Sequence, residues 1–193
     1  VIASLEQQGW PQPCRKYRAK SLVFYYNNNI KSNPQLQRDL LRKSRKFASC
    51  FESIKFLSAH LTGERDKYPH GASHMFFRLF NPIPHVLKGI DTIYYMEPDN
   101  IPCQPYWLDQ LVVEAKHAQP LWMRGSLIRD GNPANGLASF APHINGNAFY
   151  SMGADFTTWL QGVEEHFWRN CPLYLDSYDI ALYLMRMDRE LFG

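Results

Sequence analysis

No apolar run in these 193 residues is long enough to span a bilayer, and no signal peptide is visible. The four cysteines, Cys14, Cys50, Cys103 and Cys171, stand far apart without a Cys-x-x-Cys pair, which argues against a zinc cluster. They are compatible with two disulfides or with four buried thiols, and composition does not choose the redox compartment. There is no Asn-x-Ser/Thr acceptor, no internal repeat and no low-complexity block. The absence of Gly-x-Ser-x-Gly disfavours a hydrolase of that type. No Gly-x-Gly lies in residues 22–33, which counts against a nucleotidyltransferase with a basic glycine-rich loop near its start. Excess charge is also scarce: the net value of +3 speaks weakly against a dedicated nucleic-acid binder. The chain begins at Val1 rather than Met, so the expectation is a piece of a longer protein. If an upstream anchor exists, the Golgi or secretory lumen is the expected location.

What is present is an ordinary globular composition, 45% hydrophobic and 20% charged, in a length that suits one domain with a sizeable core. Aromatics are plentiful at 15%; such a surplus lines sugar or base grooves, or fills a large core. Residues 1–20 read as an irregular lead-in with a basic cluster at Arg15, Lys16, Arg18 and Lys20. A strand is expected over 21–26, ending in Asn27-Asn28-Asn29, and a helix from Pro34 with Arg38, Arg42, Lys43, Arg45 and Lys46 on a solvated face. Further strands are expected within 51–61, over 90–96 and over 121–124, closing on Gly125-Ser126. Helices are expected over 72–80, 107–117 and 154–167, with a last one following Asp176 and Asp179. Residues 66–71 and 130–138 read as loops, and Asn145-Gly146-Asn147 as a turn inside 144–150. Strand and helix patterns alternate through the first half. That order predicts an α/β layered fold with a mostly parallel central sheet flanked by helices, a single domain over 21–193.

The most informative stretch is Thr92-Ile93-Tyr94-Tyr95-Met96-Glu97-Pro98-Asp99, an apolar strand pattern that stops at two carboxylates flanking a proline. In parallel sheets ligands sit beyond the carboxyl ends of strands. Hard cations prefer carboxylate oxygens and share their shell with substrate phosphates. Glu97 and Asp99 are therefore candidate ligands for Mn²⁺ or Mg²⁺; the plainer reading is a strand-ending turn with solvated acids.

With this order in place, the chain resembles nucleotide-sugar glycosyltransferases of the GT-A fold, over about residues 22–184. Those families carry an acidic triplet, usually Asp-x-Asp, after an apolar strand, matched here by Glu97-Pro98-Asp99. Trp122-Met123-Arg124-Gly125-Ser126 looks like the strand and turn on the sugar side of the donor. His143-Ile144-Asn145-Gly146-Asn147-Ala148-Phe149-Tyr150 looks like the segment that closes over donor and acceptor. Asp176-Ser177-Tyr178-Asp179 sits where many inverting members carry the catalytic base. The phrase from Met96 to Asp109 is similar to a group of algal, plant or viral transferases. Two departures stand out: the first acid is Glu rather than Asp, and no His follows His166 to serve as the late metal ligand.

The resemblance implies a metal-dependent glycosyltransferase moving a sugar from a UDP- or GDP-sugar to a hydroxyl of a glycan, protein or lipid. From charge and hydropathy, no nucleic-acid partner and no membrane segment in this chain are expected. The alternative is a non-catalytic glycan- or nucleotide-binding module of the same fold. Asp99 is the expected direct metal ligand with Glu97 second, or else a turn cap. Asp179, then Asp176, is the expected base; the competing roles are a helix cap at Asp176 and a dipole-favoured first-turn acid at Asp179. Tyr25, Tyr26, Pro98, Gly125 and Ser126 fall on the donor side. Trp122, His143, Asn145, Gly146 and Asn147 fall on the acceptor and sugar side. The glycines and asparagines also suit turns, and the tryptophans and tyrosines also suit a core. Lys67, in the 66–71 loop, is a further possible phosphate contact, a surface loop being the plainer reading.

Overall fold

A computed structural model describes residues 11–128, 143–170 and 177–187. The chain is α/β, with strands β1 (Ala19–Tyr26), β2 (Phe51–Ser58), β3 (Thr92–Tyr95), β4 (Met123–Ile128) and β5 (His143–Ser151). Its helices are α1 (Pro34–Ser44), α2 (His70–Phe80), α3 (Trp107–His117), α4 (Ala154–Asn170) and α5 (Tyr178–Met187). The described strands form a parallel pair, β1-β2, and a separate antiparallel sheet in the order β3-β5-β4. They do not form the one mostly parallel sheet that the alternation predicts. The reason is physical: an apolar run specifies that a segment is extended, whereas its partner and direction are set by long-range packing. The expected loop at 130–138 and Cys171 lie outside the described residues. Among those described, no helix is long and apolar enough to cross a membrane.

The chain divides into two compact units, Val1–His60 with Met96–Pro120, and Leu61–Tyr95 with Leu121–Gly193. In the first, β1 and β2 run parallel with Phe24 opposite Phe56, their rings stacked at 5.5 Å, and Ser21 Oγ 2.8 Å from Ser53 Oγ. Neither strand shows clean in-out alternation, as suits parallel strands covered on both faces. Helix α1 starts where Asn33 accepts from Leu36 N–H at 3.1 Å and Pro34 occupies the first turn. Its apolar pattern continues past Ser44 as a 3₁₀ segment, Arg45–Cys50.

Of the lead-in, residues 11–18 are irregular in secondary structure but firmly attached. Tyr106 N–H donates to Gln12 O at 2.7 Å and Leu108 N–H to Pro13 O at 2.9 Å. The Asp109 carboxylate accepts from the main-chain N–H groups of Arg15, Lys16 and Tyr17 at 2.9–3.0 Å. Cys14 and Cys50 form a disulfide across 36 residues of sequence, a loop worth about 4 kcal/mol in the chain-entropy account. The sequence left the cysteine state open; the fold pairs these two and leaves Cys103 free and exposed.

The second unit is built around aromatic rings. Phe76, Phe77 and Phe80 of α2, Tyr150 of β5, and Phe156 and Phe167 of α4 are all almost fully buried. Phe76 lies 5.1 Å from Tyr150 and is stacked on Tyr178 at 4.0 Å with only 13° between planes. Phe80 meets Phe156 edge-on at 5.7 Å. Much of the aromatic surplus therefore fills this core, each such pair contributing about 0.5–1.5 kcal/mol beyond burial. The Phe76–Tyr178 stack also fixes the first turn of α5, which carries Asp179.

Candidate functional site

The acids after β3 sit on a tight turn. Asn100 N–H donates to Glu97 O at 3.1 Å, closing Glu97-Pro98-Asp99-Asn100 as a β-turn with proline second, where its fixed φ is favoured. Glu97 is half-buried, whereas Pro98 and Asp99 are exposed. The turn belongs to the first unit, as do Tyr25 and Tyr26, half-buried at the carboxyl end of β1. Among the described residues no group of three or more His, Cys, Asp or Glu side chains converges to hold a metal. Two carboxylates on one open turn do not make an all-protein cage. They do suit an ion that keeps several waters and takes substrate phosphate oxygens, the usual habit of Mg²⁺.

In the second unit, the central strand β5 loses β3 and slips its register with β4 at one residue. Ala148 is opposite Tyr95, the last residue of β3, and also opposite Gly125 of β4. Beyond it the β4 register jumps, from Gly125↔Ala148 to Leu127↔Ile144, so Ser126 faces Asn145-Gly146-Asn147 across a bulge. The expected turn at these residues is thus a bulge within a continuous strand, and Gly125-Ser126 continues β4 instead of ending it. Asn145 Oδ1 accepts from Asn147 N–H at 3.1 Å and from its side-chain Nδ2 at 2.8 Å, a local Asx-type arrangement. Tyr150 OH donates to Gly146 O at 3.2 Å from inside the core. Bulges of this kind release main-chain groups from the ladder and occur beside active sites.

Gly125 has a plain packing reason. A Cβ there would lie 2.7 Å from both Ala148 Cβ and Ile144 Cγ2, so β5 occupies the space any side chain needs.

At the start of β5, His143 is buried, 4% exposed, and its Nε2 is 3.6 Å from Asp179 Oδ2. Asp179 lies in the first turn of α5, where the helix dipole favours its charge. Its Oδ1 accepts from Ile180 N–H at 2.9 Å and from Ser177 Oγ. Two donors therefore orient Oδ1, whereas Oδ2 faces His143 at more than hydrogen-bond length. Of the pair, Asp179 is the more accessible, at 14%. Asp176 lies outside the described residues.

No known protein family, curated protein or solved structure matches the chain.

The remaining expected residues divide by environment. Trp122 is 44% exposed, packs on Trp159 at 5.6 Å, and with Met123, Ile144, Trp159 and Arg186 lines a groove of about 410 Å³. Outside that set, Trp168 stacks on His74 at 4.0 Å, and Trp107 opens α3 half-buried. Lys67 is tied to Glu64 at 2.6 Å. The sequence reading did not single out Ser177 on the candidate base, or Trp159 and Arg186 in the groove. Ser177 had a signal, two residues before Asp179 at a helix start; the groove partners had none, because they come from separate helices.

Proposed function

We propose that the protein is a metal-dependent glycosyltransferase of the GT-A type, transferring a sugar from a nucleotide-diphosphate sugar to a hydroxyl acceptor. The observation that carries the reading is the acidic turn, with Glu97 and an exposed Asp99 directly after the apolar strand β3. Glu97 and Asp99 are the residues that hold the ion. A divalent cation there supplies Lewis-acid stabilisation of the charge developing on the departing diphosphate. Asp99, exposed at the turn, is the direct ligand, and the half-buried Glu97 orients the loop or adds a second oxygen.

Asp179 takes the proton of the attacking acceptor hydroxyl at Oδ2, since Oδ1 is occupied by Ile180 N–H and Ser177 Oγ. His143 is too buried to reach an acceptor and acts as a positioning residue for that carboxylate. The bulge at Asn145-Gly146-Asn147 offers main-chain groups to sugar hydroxyls, and the exposed face of Trp122 offers a platform for an acceptor glycan.

The deciding experiment is sugar release from a panel of UDP- and GDP-sugars with Mn²⁺, with and without EDTA, on the protein and on Asp99→Asn and Asp179→Asn. Metal-dependent release is expected. Asp99→Asn should lose Mn²⁺-dependent donor binding without losing thermal stability. Asp179→Asn should bind donor normally and fail to transfer to acceptor. Metal-enhanced donor binding with no release under any acceptor would instead identify a non-catalytic binding module, and full transfer by Asp179→Asn would remove the base assignment.

A further inference from the structure

The first unit contains a second cleft, far in chemistry from a metal turn. Its volume is about 540 Å³, within the range of small-ligand sites, and its lining includes Arg15, Lys16, Tyr17, Tyr106 and Asp109. The cations are held in place by rings. Lys16 Nζ and Lys116 Nζ lie 5.1 and 5.2 Å from the Tyr17 ring centroid, and Arg15 Cζ lies 5.9 Å from that of Tyr106. Cation–π contacts position a charge without neutralising it. Among the described residues none of these three cations has a carboxylate within salt-bridge distance. The acid that lines the cleft, Asp109, is buried and already committed to three main-chain N–H groups. What faces outward is therefore Arg15 and Lys16 in the cleft lining, with Lys116, outside that lining, over the ring of Tyr17; both tyrosines are half-buried.

We propose that this cleft binds an acidic oligosaccharide, one whose sugar rings carry carboxylate or sulfate groups. The guanidinium of Arg15 matches the planar or tetrahedral oxyanion, the two ammonium groups add charge, and the tyrosine rings, with cations over their faces, hold those charges beside the cleft. A disulfide at Cys14, adjacent to Arg15, belongs to oxidising compartments, where acidic glycans are common polyanions and nucleic acids are not. The cleft's chemistry is independent of whether Asp99 or Asp179 takes part in sugar transfer.

The test is direct binding to the intact protein by calorimetry, using a heparin-derived tetrasaccharide, trigalacturonate, maltotriose and a ten-residue oligo-dT. One or both acidic saccharides should bind, and the preferred one identifies whether sulfate or carboxylate is read. Maltotriose should bind at least about tenfold more weakly, and raising salt should weaken the acidic ligand, as exposed charges demand. The exposed-site variant Arg15→Gln/Lys16→Gln/Lys116→Gln keeps the main-chain bonds to Asp109 and should lose about tenfold or more in affinity. Tyr17→Leu, which removes the ring beside both ammonium groups, should lose about threefold or more in affinity, and unchanged affinity in this variant would also overturn the proposal. No binding of either acidic saccharide, equal binding of oligo-dT, or an unaltered affinity in the triple variant would each overturn the proposal. Donor turnover in the same variant reads out separately, so its retention or loss does not bear on this site.

Discussion

Asp109→Asn is the most revealing perturbation of the first unit. The wild-type side chain is 8% exposed, with Oδ2 accepting from Arg15 N–H at 3.0 Å and Lys16 N–H at 2.9 Å, and Oδ1 accepting from Tyr17 N–H at 3.0 Å. Asparagine keeps the shape but retains only one acceptor. In its better orientation the amide oxygen keeps the two donors of Oδ2, and its NH₂ then confronts Tyr17 N–H. The change removes one charge-assisted bond, about 1.5–3 kcal/mol, and strands one main-chain donor, about 1–3 kcal/mol. Partial access of water to the site offsets some of this, leaving a cost of about 3 kcal/mol. For a chain of this length that lowers Tm by roughly 6–12 °C at pH 7.

The pH dependence carries an independent check. Burial raises the Asp109 pKa, but the N–H groups of Tyr17, Lys16 and Arg15 and the Lys16 charge outweigh it and hold the carboxyl below the ordinary 3.8. A carboxylate with a depressed folded pKa contributes stability above the unfolded pKa and loses it as pH falls through the folded value. The Tm gap between wild type and Asp109→Asn, followed by circular dichroism, should be full at pH 6–7 and close progressively below about pH 4. A variant that melts within about 1 °C of wild type at pH 7 would refute the reasoning, as would a gap that stays constant into acid.

Three other outcomes follow from the packing. Gly125→Ala should cost about 1–3 kcal/mol, seen as a lower denaturant midpoint at unchanged m-value, because its Cβ meets Ala148 Cβ and Ile144 Cγ2 at 2.7 Å; wild-type stability would show that β4 can shift. His74, stacked on Trp168, has its pKa lowered to about 4 by burial and by Arg65, Arg78 and His70. The folded state therefore favours neutral His74, and stability present above about pH 6.5 should decline as pH falls toward 4. His74→Gln should flatten that part of the Tm-against-pH curve, and an unchanged slope would dismiss this residue as its source. His143→Gln should raise the KM for acceptor or lower kcat through a misplaced Asp179 while sparing donor binding; unaltered transfer kinetics would leave the 3.6 Å approach without a role.

How far the site could be read in advance differs from residue to residue. The Glu97-Pro98-Asp99 turn was legible because proline and the abrupt end of an apolar run are local signals. Asp179 was legible as a helix-start acid, since first-turn acids are favoured by the dipole wherever the helix goes. His143 was assigned to the acceptor and sugar side, but its approach to Asp179 was not legible, because 36 residues separate the two positions in the chain. Asp109 read as an ordinary early-helix acid; its three main-chain donors come from residues more than ninety positions earlier. Gly125 was assigned to the donor side, yet its immediate constraint is the approach of β5, which no single-strand pattern contains.

The amino-acid order alone determined where most strands and helices lie, because periodicity, capping residues and prolines act within a few residues of themselves. Tertiary structure alone decided that β1 pairs in parallel with β2, that β5 stands between β3 and β4, that Cys14 joins Cys50, and that the aromatic surplus largely closes into a core around Phe76. Those choices depend on which apolar faces meet and which buried donors find acceptors across the chain, and such long-range free energies leave no mark in any short window of residues.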